Sequence, residues 1–296
     1  MNNYLSVSIF FIFLQRISNH SFMKVKNFLL LGFLLSVTPV FTHAQTKSTN
    51  TGNKSKVGVW LDAGIGIGFA DTYDNGTAPM SLYGLAAGLQ TAVTVEWNRC
   101  HIQGETRGLA GALFTPLSGY DFCIQDRLEF LYRVHDDKTD RFHVWVGGEG
   151  VVDLDIKMIK DLMNASAGFS VFGNLGAVGM VQYDFGSSKD GSRRLFSLYG
   201  KLTLPLVGLA GRPGYAYIDN FTGSLNSLDV VMNEYEWFVK AFPGVTTDIG
   251  IYLNLRNGNR FGISYRWDYL STGNRGIYRF DRAFHTINLD FMFKLN

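Results

Sequence analysis

The chain has 296 residues, of which 46% are hydrophobic, 15% aromatic and only 18% charged, with 33 glycines. The hydrophobic content excludes global disorder, and the low charge combined with many aromatics and glycines favours strands that face lipid over a soluble enzyme. The formal net charge at pH 7 is +2 and no block of Lys or Arg is present, which excludes an electrostatic surface for nucleic acid.

The first 44 residues have the pattern of a targeting signal. After Met23, two lysines precede an apolar run from Phe28 to Phe41, and the small residue Ala44 stands where a signal peptidase cleaves. The run is shorter than the roughly 20 residues of a membrane-spanning helix. We therefore predict a start at Met23, cleavage after Ala44 and a polar lead-in over 45–56, with a retained anchor as the alternative.

Apolar and polar residues alternate from Val57 onwards. Over 57–69 the odd positions are apolar and the even positions are mostly glycine, the period-two pattern of a strand with one apolar face. The pattern predicts ten strands near 57–69, 83–97, 100–110, 120–134, 141–155, 166–185, 194–207, 245–255, 260–270 and 281–296. An even number is typical of bacterial outer-membrane barrels, with eight or twelve strands as the alternatives.

The predicted connections alternate between short and long, as they do between the periplasmic and outer ends of such barrels. The short set is Asn98-Arg99, 135–140, 186–193 and 256–259. The longer set is 71–80, 111–119, 156–165, 208–244 and 271–280. Ten strands then place both ends of residues 57–296 on the periplasmic side.

A β-sandwich or a lipocalin-like barrel is the soluble alternative, because its strands alternate with the apolar face inward. Here the apolar faces carry almost no charge, with Asp126 as the clearest exception, while the opposite faces carry charges on nearly every strand. We therefore predict an all-β fold: an antiparallel transmembrane β-barrel over 57–296, in the outer membrane of a Gram-negative bacterium.

Acids and bases are mixed on the polar faces, which would line the interior of the barrel. A ten-stranded barrel encloses little more than side chains, so these charges should pair across the lumen rather than line a wide channel. The predicted lumen charge network is Glu105, Arg107, Arg127, Glu129, Glu149, Lys201, Asp248, Arg266, Asp268 and Asp290. A proton or ion path is the functional alternative to this structural role.

Catalytic and metal-binding patterns are mostly missing. Outer-membrane phospholipases and lipid A deacylases place His and Ser two residues apart, a pair this sequence lacks. The ten-stranded omptin proteases use an Asp-x-Asp pair and an Asp-x-His pair; Asp153-Leu154-Asp155 resembles the first, and no Asp-x-His occurs. We predict Asp153 and Asp155 as rim charges or a weak cation site, with no catalytic residue, cofactor or zinc-like metal site.

The longest predicted loop, 208–244, contains Arg212, Tyr215 and Trp237. Loops carry function more often than barrel walls, so these residues are predicted to bind a surface protein partner or to cap the mouth. Outward aromatics such as Trp97 and Trp267 fit anchoring at the membrane interface.

The C-terminal third carries two resemblances. The outward row Ile287, Leu289, Phe291, Phe293 and Leu295 resembles the terminal strand that the barrel-assembly machinery reads, although the chain ends in Lys294-Leu295-Asn296 instead of on an aromatic. Leu204-Pro205-Leu206, Arg212-Pro213-Gly214-Tyr215, Arg282 and His285 resemble uncharacterised small outer-membrane barrels of Bacteroidetes. The resemblance implies fold and location but no activity.

The sequence thus predicts a non-enzymatic structural or binding component of the cell surface, embedded in the outer-membrane bilayer. A rim-located hydrolase of lipid or peptide and a narrow channel for small solutes are the alternatives.

Overall fold

The computed structural model describes residues 57–296, except 138, 140, 160, 163–166, 188–193, 214–234, 274–275 and 296. The predicted signal region and lead-in lie outside the described residues. Within the described ranges, no helix has the length and apolar character to cross a membrane.

The described chain consists almost entirely of strands. They are β1 Gly58–Asp74, β2 Ala78–Trp97, β3 Cys100–Thr115, β4 Gly119–Asp136, β5 Phe142–Ile159, β6 Ala167–Ser187, β7 Arg194–Pro213, β8 Tyr235–Ala241, β9 Gly244–Asn254, β10 Arg260–Ser271 and β11 Phe280–Lys294. A 3-10 turn at Gly276–Tyr278 precedes β11.

These strands close into a barrel. Neighbouring strands pair antiparallel, β6 pairs with β7, and β1 pairs with both β2 and β11. Strand β8 pairs with the outer part of β7 and β9 pairs with its other part, so β8 and β9 act as one strand interrupted at Phe242-Pro243. Phe242 has a φ of 51°, which marks the irregularity. The prediction of a closed, ten-stranded antiparallel barrel is confirmed, and the counts of eight and twelve are wrong.

The inside of the barrel is polar and the outside is apolar. On β1, Ile65 and Ile67 point outward and are 56% and 69% exposed, whereas Asp62 points inward and is 5% exposed. Exposed Leu, Ile, Val and aromatic residues cover the outer faces of the other strands as well. A soluble sandwich or lipocalin has the opposite polarity, so that alternative is wrong, and the chain has the fold of an outer-membrane β-barrel.

The strands extend further at the outer end than predicted. Strand β1 continues to Asp74 and β3 to Thr115, so most of the predicted loops 71–80 and 111–119 is strand, and β5 continues to Ile159 inside the predicted loop 156–165. Strand β1 has 17 residues, whereas about 9–11 tilted residues cross a bilayer. Asp74 and Lys157 are inward-facing charges, whereas β3 turns the apolar Leu113 inward, so the alternation of outward apolar and inward polar residues is not kept in all of these ends.

The predicted loop 208–244 needs the same correction. Strand β7 includes its first six residues and β8 takes Tyr235–Ala241, so the connection between them is reduced to 214–234, outside the described residues.

The opposite end, which we call the periplasmic end, has the short turns that the sequence predicts. Asn98, with a φ of 52°, turns β2 into β3 in two residues, a conformation that asparagine tolerates better than most residues. In the next turn the Asp137 carboxylate accepts hydrogen bonds from the Thr139 hydroxyl at 2.6 Å and from the backbone N–H of Arg141 at 2.9 Å.

These bonds, the one from the Thr139 side chain foremost, lower the pKa of Asp137 to about 2. A depressed pKa means that the contribution of this turn to stability is complete above the ordinary carboxyl pKa of about 4 and is lost only as the pH falls towards 2.

Candidate functional site

The lumen holds every charge that the sequence places there. All ten members of the predicted network are buried side chains of the barrel wall that face inward: Glu105, Arg107, Arg127, Glu129, Glu149, Lys201, Asp248, Arg266, Asp268 and Asp290. We call this set the central network.

Arg266 is the best-bonded cation of the central network. From β10 it reaches across the lumen to β3, where its two terminal nitrogens donate to the Glu105 carboxylate at 2.6 and 3.1 Å. Its Nε donates to Asp248 on the neighbouring β9 at 3.0 Å, and Tyr199 donates to the other oxygen of Asp248 at 2.9 Å. Such two-pronged, charge-assisted bonds are the strong class of protein hydrogen bonds.

Two further cations of the central network form ion pairs with carboxylates on other strands. Lys201 on β7 donates to Glu129 on β4 at 3.0 Å. Arg127 on β4 lies 3.6 Å from Glu149 on β5 and 3.6 Å from Asp268 on β10. Eight of the ten charges therefore lie in ion pairs, which offsets the desolvation of buried charge. Of the other two, Arg107 donates to Thr286 and Asp290 accepts from Gln90.

Towards the outer end lies a second set of ionic contacts, the outer cluster, in which Arg282 is central. Its guanidinium donates to Asp153 and, at 2.9 Å, to Asp155. Asp153 and Asp155 are only 2% and 1% exposed, so their predicted position on the outer rim is wrong. The reason is that β5 continues beyond them to Ile159, which leaves both carboxylates inside the wall.

Lys157 adds a second cation to the outer cluster. Its ammonium lies 2.6 Å from Asp155 and 3.8 Å from Asp121, and it stands 4.0 Å from the centre of the Phe280 ring. The side chain is fully buried. An aromatic face attracts such a cation, most strongly when water is excluded.

Arg212 completes the outer cluster from β7. It bonds Asp74 on β1 and donates to Ser170 at 2.9 Å. Its guanidinium also lies over the Phe280 ring, 4.5 Å from the ring centre. Arg212 was predicted in an outer loop; it is instead 1% exposed inside the barrel.

The other two predicted loop residues are placed differently. Trp237 lies on β8, partly exposed, with its ring over the backbone of Gly211 on β7. Tyr215 lies outside the described residues. A binding role for Asp153, Asp155, Arg212, Tyr215 or Trp237 stays a prediction.

Hydrophobic packing accompanies the outer cluster. Phe172, Ala210, Phe238, Leu270 and Phe280 form one buried group, with the Phe172 and Phe280 rings 4.9 Å apart. A second buried group packs nearby on the other strands; its members are Ala70, Leu82, Ala86, Leu109, Leu113, Cys123, Ile159 and Phe284. Ionic and apolar contacts are thus combined among the buried side chains of the outer half of the lumen.

The periplasmic half is more open. A cavity of about 340 Å³ lies at this end and is lined by Trp60, Trp97 and Trp145 among others. A smaller one of about 70 Å³ lies deeper, next to the central network, and shares Trp145 and Arg260 with the first. The space inside the barrel is therefore approached from the periplasmic end.

Four charged residues of the outer cluster were not predicted as site residues: Asp74, Asp121, Lys157 and Arg282. Each continues the inward parity of its strand, so extending the alternation past the apolar positions would have found them. Among the residues that the structure describes, no group of three or more His, Cys, Asp or Glu side chains is arranged to hold a metal ion.

No protein-family model and no curated protein sequence matches this chain. Among solved structures, the outer membrane protease OmpT from Escherichia coli is similar, with a TM-score of 0.48 and 7% identity over 84% of this chain and 100% of that one. Neisserial surface protein A aligns with a TM-score of 0.31 and 9% identity over 78% and 95% of the two chains.

The translocator domain of the autotransporter NalP from Neisseria meningitidis aligns with a TM-score of 0.35 and 7% identity over 80% of this chain and 88% of that chain. The fold assignment rests on the strand pairing of this chain itself, and the activities of these proteins are not carried over to it.

Proposed function

We propose that this protein is a sealed barrel of the bacterial outer membrane, a non-enzymatic structural or binding component of the cell surface. The observation that carries the proposal is the outer cluster. Two of its cations, Arg212 and Arg282, are each 1% exposed and bind carboxylates on strands across the lumen. The third, Lys157, is fully buried beside Asp155 on its own strand and Asp121 on the adjacent strand. A pathway for solutes would have to break these buried contacts, which is costly because it strands buried charge.

The apolar exterior supports a bilayer location, and the signal pattern before residue 45 supports export to the outer membrane by a cleaved signal peptide. The proposal includes assembly by the barrel-assembly machinery and kinship with Bacteroidetes barrels, for which the sequence resemblances are the support. A surface protein partner would meet the outer end, where β8 pairs with β7.

A rim hydrolase has less support. Asp153 and Asp155 are buried and bonded to Arg282, so neither carboxylate is free to take a proton from water. In the described parts of these strands no histidine bonds to either of them. A narrow channel also has less support, because solutes would have to break the buried ion pairs of the outer cluster.

The proposal predicts that the protein, refolded in detergent and added to a planar bilayer, produces no discrete conductance steps. A general-diffusion porin added to the same bilayer is the positive control. Reproducible steps of defined size would contradict the sealed lumen and favour the channel.

Thiol labelling is a second test of the sealed lumen, and it does not depend on a conductance measurement. Cys123 is 1% exposed, with its Sγ 3.1 Å from Asp153 in the outer half of the lumen. In a Cys100→Ser variant, a small charged thiol reagent should leave Cys123 unlabelled in the folded protein and label it after heating in detergent. Rapid labelling of the folded protein would show an open lumen.

A further inference from the structure

Three side chains with hydrogen-bond acceptors, Asp62, Gln90 and Asp290, line the deeper cavity. Gln90 on β2 and Asp290 on β11 both stand opposite Gly64 on β1, and Asp62 lies two residues before that glycine on the same inward face. A side chain at position 64 would collide with both Gln90 and Asp290. Glycine therefore lets the two side chains meet over the backbone, where the Gln90 amide nitrogen donates to Asp290.

Two of these acceptors have no donor. Asp62 Oδ1 and Gln90 Oε1 are without hydrogen-bond partners, although Asp62 is 5% exposed and Gln90 8%. The orientation of the Gln90 amide follows from its bond to Asp290, because a flipped amide would set two oxygens against each other. A buried acceptor without a donor is destabilising, because the hydrogen bonds it makes to water in the unfolded chain are not replaced, so a ligand that donates hydrogen bonds would be bound favourably here.

The same site has excess negative charge. The other carboxylates that line the cavity are ion-paired: Glu105 and Asp248 with Arg266, Glu129 with Lys201, and Glu96 with Arg260. In the part of the chain that the structure describes, Asp62 and Asp290 have no such partner. Two carboxylates without cations in a protein interior favour the binding of a positive charge.

The required ligand is thus a cation that donates hydrogen bonds. Among the described residues, no group of three or more His, Cys, Asp or Glu side chains is arranged to hold a metal ion. A primary ammonium has three N–H donors and no acceptor, which matches the three acceptor side chains. The way in is through the larger periplasmic cavity, past Trp145.

We propose that the lumen binds a primary alkylammonium group from the periplasmic side. The ammonium bonds Asp62, Gln90 and Asp290, and the alkyl chain extends along Trp145 towards the periplasmic opening. The deeper cavity of about 70 Å³ accommodates the ammonium group, and the cavity of about 340 Å³ accommodates the rest of the ligand beyond the alkyl chain. This site needs no passage through the outer half, so it does not depend on whether the barrel is sealed.

The test is calorimetric titration of n-butylammonium chloride into the full-length protein folded in detergent. We expect saturable binding of one ammonium per barrel, and no binding of n-butanol or of sodium chloride at the same concentrations. Equal heats from sodium chloride would mean a general cation effect, and no saturable heat from butylammonium would mean that water alone fills the cavity. Either result overturns the proposal.

Two variants and a control locate the site. Asp62→Asn and Asp290→Asn keep the side-chain shape and remove one charge each, so each should weaken butylammonium binding at least about tenfold, as expected for a charged hydrogen bond. Asp184→Asn changes an acid that lines the larger cavity only, and it should alter the affinity less than about twofold. Equal loss in all three variants would contradict the assigned position.

Folding of each variant is verified by heat-modifiable gel mobility. The comparison of butylammonium with butanol uses the unchanged protein, so the proposal can be rejected even if a variant fails to fold.

Discussion

Replacing Arg282 by methionine should lower the free energy of unfolding by about 3–5 kcal/mol, the effect of removing one partner of a buried ion pair. The guanidinium of Arg282 bonds both Asp153 and Asp155, and all three side chains are almost completely buried. Without it, Lys157 is the one other cation that the structure places against Asp155. The measurement is equilibrium unfolding by guanidinium chloride in lipid vesicles, followed by circular dichroism.

Arg279→Met is the matched control. Arg279 lies three residues earlier and bonds Asp281 at 2.8 Å, but its side chain is 42% exposed. An exposed ion pair contributes about 1 kcal/mol or less, so this variant should stay close to the unchanged protein.

A charge-compensated variant distinguishes two causes of the stability loss in Arg282→Met, the lost packing of the arginine side chain and the two carboxylates left without a cation. If the loss in Arg282→Met comes from the uncompensated carboxylates, adding Asp153→Asn and Asp155→Asn should recover most of it. Equal stability of the Arg282→Met and Arg279→Met variants would contradict a stabilising role of the outer cluster.

An arginine at position 65 should destabilise the barrel in lipid by about 2–4 kcal/mol, the effect of a cation on the lipid face near the bilayer midplane. Ile65 points outward, stands opposite Leu89 and Leu289 in the adjoining strands, and lies away from both ends of β1. The same unfolding measurement in vesicles gives the difference between Ile65→Arg and the unchanged protein.

Ser81→Arg is the control for depth. Ser81 stands opposite Tyr73, near the outer end of the wall, where an added cation should cost about 0–1 kcal/mol. A soluble barrel would tolerate an exposed arginine equally well at either position. Equal stability of the Ile65→Arg and Ser81→Arg variants would therefore contradict a membrane-spanning wall.

The sequence predicts the wall well because the side-chain period of a strand is two residues. From Val57 to Phe69 the alternation predicts which residues face lipid, and repeated along the chain it leads to ten strands and to the inward charges. Which charges pair is a different question. Arg266 and Glu105 are 161 residues apart in sequence and meet only because the barrel closes.

The errors are concentrated at the outer end. There the apolar alternation fades, so Asp74, Lys157 and Arg212 read as loop residues although their strands continue and turn them inward. The position of Asp153 followed from the underestimated length of β5. Strand ends are set by long-range pairing, which local hydropathy does not report.

The acceptor site at the deeper cavity had no signal in the sequence. Asp62 was an inward charge like many others, and Gln90 was a neutral residue of the polar face. Their significance comes from the register that sets Gln90 and Asp290 on either side of Gly64, and register depends on the closed barrel rather than on local pattern.

A closed barrel embedded in a membrane has two signatures that can be measured on one sample, its mobility on a gel and its circular dichroism spectrum. The protein is refolded in detergent and run on a gel with and without heating. We expect a compact band that shifts on heating, together with a β-type spectrum that is lost at the same temperature. A protein that is soluble without detergent, or that gives a helical spectrum, would contradict the account.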